Sequence, residues 1–426
     1  MSTAAAIAWA QSGLMHLSGP EHGAPLVPEF DFMSGVAALL RELQQSAAAA
    51  GSALQLDSRV LTQRAQLMGL SRGGTQSCNR SCRLLEARDG WIALNLPRPS
   101  DVELLPAWLG IEVGTDPWLA VERSIRRFDQ VELEAMGEGL PLAFAVLRPV
   151  DAAPANDSEP GLVPTRNAFA PLVVDLSSLW AGPLCGQLLH QAGARVIKVE
   201  SATRPEPIRQ VWPRFFDQLH AGKESVVLDF NLAVDRWRLK RLIDCADIVI
   251  TSARPRAIEQ LGFDLDELFR QKPALIWIGI TAYGWYGGAG QRIGFGDDAA
   301  AAAGLVTTGS DGRPAFLGDA VADPLAGIIA ASWALRAWRS GAGGIHDVSL
   351  HSSAQRIAMA RRLTAPERGK VHQRHEHWWL TVDDCTAPVA PPQAVIHLNE
   401  CAAAPGAHTR QILEEFTQAS VQPEKS

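Results

Sequence analysis

Through the middle of the chain, short apolar β-branched runs alternate with amphipathic stretches. The pattern predicts strands over 172–176, 195–199, 225–230, 247–251 and 275–281, with helices over 184–191, 233–243 and 255–261. Continuous apolar strands separated by helices mark a parallel sheet buried on both faces. The expected fold class is therefore α/β: a doubly wound, Rossmann-like parallel-sheet domain over 168–365 with a smaller α+β domain. The small domain, together with a partial repeat, falls in residues 1–150, where 140–147 form a long apolar run. Residues 151–167, rich in Pro, Ala, Asp and Gly, read as a linker, and 366–426 as a C-terminal return segment.

The repeat sets Gly13-Leu14-Met15, Gly19, Pro25, Asp31 and Gly35 against Gly304-Leu305-Val306, Gly309, Pro314, Asp323 and Gly327. Asp and Gly stand four residues apart in both copies, and each copy leads into an alanine-rich helix. Asp31 has no βαβ unit before it and is expected to be structural or inert.

Composition narrows the function classes. A net charge of −7 over 426 residues offers no field to attract nucleic acid or an anionic membrane. No apolar run approaches the roughly 20 residues of a membrane span; the alanine tract 299–303 is short and follows Asp297 and Asp298. The first forty residues contain no Lys or Arg, so a secretory signal is not expected and the compartment is expected to be cytoplasmic. Six scattered cysteines do not make a disulfide framework. Cys78 and Cys82 lack a second Cys/His pair to complete a zinc site. His372, His375 and His377 read as an exposed loop packing on Trp378 and Trp379, so no metal site is expected.

In doubly wound sheets, ligands bind beyond the carboxyl ends of the strands. There the loop from Ser177 to Pro183 enters a helix with Pro183 at its start, and it lacks the G-x-G-x-x-G of a dinucleotide site. Asp323, followed by Pro324 and an apolar helical stretch, has two readings. It can be an N-cap satisfying the first turn. It can also be a covalent nucleophile, with nearby N–H groups stabilising the oxyanion formed when it attacks a carbonyl.

An ordered set of segments begins with Ala181-Gly182-Pro183, Gln187-Leu188-Leu189, Gly193 to Glu200 and Gly222 to Asp229. It continues with Ala246 to Ile250, Arg254-Pro255, Leu261-Gly262-Phe263, Asp311-Gly312, Ala322-Asp323 with Gly327, and Arg339 to Gly343. In this order the set resembles the class III CoA-transferases, the CaiB/BaiF family of formyl-CoA and carnitine CoA-transferases. Pro405 to Arg410 with Ile412-Leu413 is similar to the family's terminal helix, and Arg88 to Leu94 to its entry into the small domain. Gly73-Gly74 is either a remnant of the family's mobile glycine loop or a plain β-turn. The aromatic-glycine loop 282–288, holding the only two tyrosines, Tyr283 and Tyr286, corresponds to a family loop near the thioester and is a candidate substrate wall.

The resemblance implies Asp323 as catalytic nucleophile. It would attack an acyl-CoA thioester to give a mixed anhydride, recapture CoA as an enzyme thioester, and pass it to a carboxylic acid. It also implies a CoA groove lined by Trp180, Ala181, Leu228, Asp229, Phe230, Asn231, Ser252, Ala253 and Arg254. On this reading coenzyme A is a substrate, no cofactor is bound permanently, and the chain forms a homodimer. Family cations are replaced by Ser201, Gln260 and Ile293, with Arg204, Arg254, Arg256 and Arg292 close enough in sequence to compensate. Phe295 stands where the racemase branch carries a His. The alternatives are a catalytically degenerate CoA-binding or partner subunit, and a CoA-ester isomerase or racemase on the same scaffold.

Overall fold

The computed structural model describes residues 2–149, 170–394 and 401–418; the expected linker at 151–167 lies outside them. The N-terminal part contains helices α1 (Ser2–Gln11), α2 (Phe32–Ala49) and α3 (Gln63–Met68), then strands β1 (Cys82–Glu86) and β2 (Trp91–Asn95). Four short helices follow, α4 (Pro99–Val102), α5 (Leu105–Leu109), α6 (Pro117–Ile125) and α7 (Gln130–Gly137), before strand β3 (Ala143–Val146). Strands β1, β2 and β3 form an antiparallel sheet in that order. Its apolar face packs Ile92, Leu94 and Val146 against Trp108, Ile125 and Leu133 of the helices.

The large sheet is built from β4 (Leu172–Asp175), α8 (Ala181–Gln191), β5 (Arg195–Ser201), α9 (Ile208–Val211), α10 (Pro213–His220) and β6 (Glu224–Leu228). The chain then crosses to α11 (Ala233–Cys245), β7 (Ile248–Thr251), α12 (Pro255–Gln260), α13 (Leu265–Gln271) and β8 (Ile276–Thr281). After α14 (Gly296–Ala302), a small β9 (Val306–Thr308) and β10 (Pro314–Phe316) ribbon leads to the long α15 (Ala322–Ser340) and to β11 (Gly344–Ser349). Strand order is β11-β8-β7-β4-β5-β6, every pair parallel. This is the expected doubly wound sheet, with its switch point between β4 and β7.

Alternation along the strands sorts the core into two layers. Val173, Ile248, Ile250, Ile276 and Ile278 face α8 and α15, while Val174, Val249 and Trp277 face Leu242, Leu268 and Ile412. Gly327 lets α15 close on α8, since a Cβ there would lie 2.7 Å from the Ala181 carbonyl oxygen. Strand β6 ends at Leu228 rather than reaching Phe230, because the Asp229 carboxylate accepts the Asn231 N–H at 3.0 Å and turns the chain.

Helix α16 (Leu350–Ala358) and the short α17 (Ala365–Arg368) follow the sheet, then β12 (Lys370–Arg374), β13 (His377–Val382) and β14 (Cys385–Pro388). These strands form an antiparallel sheet, so the histidine cluster is not the expected exposed loop. Alternation decides this: Leu380 and Val382 turn inward while His372, His375 and His377 straddle a hairpin whose turn holds His375 at φ 55°. No group of three metal-competent side chains occurs among the described residues. Helix α18 (Thr409–Gln418) returns to the sheet domain.

The two copies of the repeat meet. Ser46 of α2 lies opposite Ser332 of α15 at 3.3 Å, and Glu42 binds Arg336 at 3.2 Å, so the helices run antiparallel. Gly73 and Gly74 form a hydrogen-bonded turn, the Gln76 N–H donating to the Gly73 carbonyl at 3.1 Å. Cys78 and Cys82 are both buried as free thiols.

Candidate active site

The Asp175 carboxylate, at the end of β4, accepts hydrogen bonds from the Ser177 N–H at 3.0 Å and hydroxyl at 2.5 Å. Lys223 donates to the same carboxylate and to the Pro183 carbonyl, each at 2.9 Å. Burial pushes the Asp175 carboxyl up, but the ammonium groups of Lys223 and Lys198 outweigh it and hold it below its ordinary value. The clamp shapes the turn from strand to helix. Next along it, Leu179 is held at φ 71° by an N–H bond to Glu206 at 2.7 Å. Trp180 is thereby driven inward to 1% exposure, edge-on to Phe215.

Asp323 faces this loop across a cavity of about 150 Å³. The expected N-cap role does not hold. Val321 is the cap residue, and Asp323 is the second residue of α15. The reason lies in the approach to the helix. Ala320 adopts φ 42° and its carbonyl accepts the Asp323 N–H at 3.0 Å, which starts the helix early. The carboxylate turns instead to the N-terminus of α14 and lies against Gly296, whose amide favours its ionised form. Only glycine fits there, because a Cβ would lie 2.2 Å from Asp323 Oδ2.

The surroundings are strongly acidic. Asp297, Asp298 and Asp319 are 3% exposed or less. Asp319 is clasped by Arg64 through Nε at 2.7 Å and Nη2 at 2.5 Å, and the guanidinium lies 4.9 Å from the Trp180 ring centroid. Asp297 accepts from the Ala320 N–H at 2.9 Å and from Asn79 at 3.3 Å. Asp298 accepts from Asn95 and the Phe295 N–H, each at 2.9 Å, and from the Tyr283 hydroxyl at 3.3 Å.

Burial pushes Asp323 up to about 7; Arg64 opposes the rise, and Asp319 and Asp298 add to it. Asp297 also rises to about 7, chiefly through burial and then the Asp319 charge. Burial lifts Asp298 to about 6 despite the bonds it accepts from Asn95 and Phe295. A carboxyl that changes charge near neutrality beside a cavity, with a backbone amide that favours its ionised form, has the attributes of a reacting group.

Among the expected groove residues, Trp180 alone lines this cavity. Ala181 is buried as the first residue of α8 and Leu228 as the last of β6. Ser252 is brought to the β4 loop, its hydroxyl accepting the Ser178 N–H at 3.0 Å, with Ala253 following it. Arg254 is exposed and donates to the Gln291 carbonyl at 3.1 Å. Asp229, Phe230 and Asn231 sit at the end of β6, two strands beyond β4, where the Phe230 and Asn231 carbonyls accept from Arg236. The loops are thus grouped at the carboxyl ends of β4, β6 and β7, and Trp180 is the one expected groove residue that reaches the Asp323 cavity.

The tyrosine pair separates. Tyr283 stands behind Asp298, and Tyr286 is 66% exposed on an open groove of about 590 Å³ with Trp285, Pro255 and Phe263. Neither lines the Asp323 cavity. Sequence reasoning missed Arg64, Asn79, Ser81, Asn95 and Phe215, which carry no spacing signal. It noted Asp297 and Asp298 only as charges before an alanine tract, although two carboxylates at a helix start were a legible cue.

Residues 172–382 match the model of CoA-transferase family III. Over 193 residues the chain is 33% identical to the succinyl-CoA–D-citramalate CoA-transferase of Chloroflexus aurantiacus, covering 42% of this chain and 48% of that protein. Over 232 residues it is 34% identical to a probable fatty acyl-CoA transferase of Mycobacterium tuberculosis, covering 49% and 59%. A crystal structure of a CaiB/BaiF family protein from Brucella suis aligns with a TM-score of 0.45 at 25% identity, covering 49% of this chain and 64% of that one. The chain spans about half the length of the curated relatives it matches.

Proposed function

We propose, since residues 172–382 match the model of CoA-transferase family III, that the protein transfers coenzyme A between an acyl-CoA thioester and a free carboxylic acid, with Asp323 as nucleophile. The observation that carries this reading is the Asp323 carboxylate itself. It follows the cap of its own helix, it borders a cavity, and it lies against Gly296. In the proposed cycle Asp323 attacks the thioester carbonyl, the C–S bond breaks, and CoA thiolate leaves behind an acyl-aspartyl anhydride. The thiolate then attacks the aspartyl carbonyl, expels the acid and leaves an aspartyl-CoA thioester. The acceptor carboxylate and the released thiolate repeat the two steps in reverse. Each intermediate divides one difficult exchange into two easier ones, and N–H donors at the reacting oxygen stabilise the charge that develops.

The mouth between the β4 and β7 loops, around Trp180, Ala181, Ser252, Ala253 and Arg254, would receive the CoA chain. The turn of Leu228, Asp229, Phe230 and Asn231 would form its outer edge. Phe295 lines the cavity where a racemase would need a proton-carrying imidazole, which favours transfer over racemisation. Homodimerisation belongs to the same proposal, and light scattering at twice the chain mass would support it.

The deciding experiment is acyl-CoA labelling in the presence of hydroxylamine. The wild-type chain is expected to lose activity only when acyl-CoA is present, with the modification mapping to Asp323. Asp323→Asn is expected to lose both the modification and at least about 10³-fold of the exchange rate. An unmodified Asp323, with no exchange to any acid, would leave the degenerate CoA-binding subunit as the better reading.

A further inference from the structure

If Asp323 is the acylated group, as proposed above, the cavity beside it holds the acyl tail, and its walls set which tails fit. The cavity measures about 150 Å³. An apolar void of that size accommodates a molecule of about six carbons, such as benzene. Much of the wall is apolar, with Met68, Ile208, Phe215 and Phe295 among its residues.

Its charges are arranged against a second carboxylate. Arg64 is the only cation among the described lining residues, and its Nε and Nη2 are both committed to Asp319. Asp297 lines the same space and Asp298 lies behind the Phe295 amide. A second anionic group on the tail would leave water for a site already crowded with carboxylates, with no uncommitted cation in the wall to receive it. Trp180 is 1% exposed and lines the same space.

We propose that the site selects short monocarboxylic acyl groups, of about six carbons or fewer and uncharged beyond the reacting carboxyl, and rejects dicarboxylates of the same length.

The test uses the full chain, with butyryl-CoA as donor and matched acceptors: butyrate against succinate, hexanoate against adipate, and decanoate for length. The expected result is a preference of at least about 100-fold in kcat/KM for each monocarboxylate over its dicarboxylate, with decanoate well below hexanoate. Met68→Lys and, separately, Ile208→Lys would place a cation in the wall and are expected to shift the succinate-to-butyrate ratio at least about tenfold toward succinate. Succinate within threefold of butyrate in the wild-type chain overturns the proposal. So does an unchanged ratio in both variants when each is folded by circular dichroism. If Asp323 is labelled but dicarboxylates are preferred, only the specificity falls; if no acid is exchanged and Asp323 stays unlabelled, the transferase reading itself falls.

Discussion

Asp323 shows how far one residue departs from what its neighbours in sequence suggest. Asp followed by Pro at a helix start is an N-cap pattern, yet the left-handed Ala320 moves the helix start forward and releases the carboxylate toward Gly296. Burial and the charges of Asp319 and Asp298 then hold its proton on to about pH 7 against the pull of Arg64. A nucleophilic carboxylate must be ionised, so the exchange rate is expected to rise with pH and to level off above neutrality. Because Asp297 titrates in the same range beside it, the midpoint belongs to the group rather than to one carboxyl. Measuring kcat/KM for CoA exchange from pH 5.5 to 8.5 checks this. A flat profile would rule out a raised Asp323 as the group that reacts.

Among the elements, the repeated Asp turns diverge. Asp31 caps α2, accepting the Ser34 N–H at 3.1 Å, whereas Asp323 follows Val321, the cap of α15. The same four-residue spacing therefore serves helix stability in one copy and sets a carboxylate beside a cavity in the other. Asp31→Ala is expected to cost about 0.5–2 kcal/mol in urea unfolding while leaving exchange activity within twofold. Any larger loss of activity would place the first copy in the chemistry. Five of the six strands of the large sheet were legible because apolar β-branched runs of four to seven residues, bounded by turns, have few alternatives; β11 was not, because Gly344, His346 and Asp347 interrupt its apolar positions. Strands β12 and β13 were not, since histidines and charges fill their outward positions and mask the alternation of Leu380 and Val382.

At the scale of the molecule, the C-terminal segment closes the sheet. Strand β6 is an edge strand, and its free backbone groups are taken up by the returning chain. Ser225 and Val227 donate to His408 Nδ1 and the Thr409 hydroxyl, each at 3.0 Å, and Ser225 accepts the His408 N–H. Ile412 and Phe416 of α18 are buried against the sheet layer beneath. An uncovered edge is a template for pairing with other chains. Deleting residues 401–426 is expected to produce concentration-dependent aggregation, read by light scattering, before any loss of the parallel sheet's circular dichroism. A monodisperse truncated chain would show that the edge needs no cover. The antiparallel pairing of α2 with α15 ties the N-terminal region to the sheet domain on the other side, through Ser46, Ser332, Glu42 and Arg336.

The sequence by itself determined the α/β class, five strands of the doubly wound parallel sheet and the ordered motifs strung along them. Each rests on local periodicity or on an ordered run of motifs, which survive without knowledge of distant contacts. Only the tertiary structure decided what surrounds Asp323. Arg64, Asn79 and Asn95 come from the N-terminal part, and Trp180, Phe295 and Asp297 from the sheet domain; they converge only when α3 and the β1-β2 hairpin pack over the strand ends. Burial and charge density are properties of that convergence. No spacing along the chain encodes them, and they make an ordinary acidic residue into one poised at neutral pH.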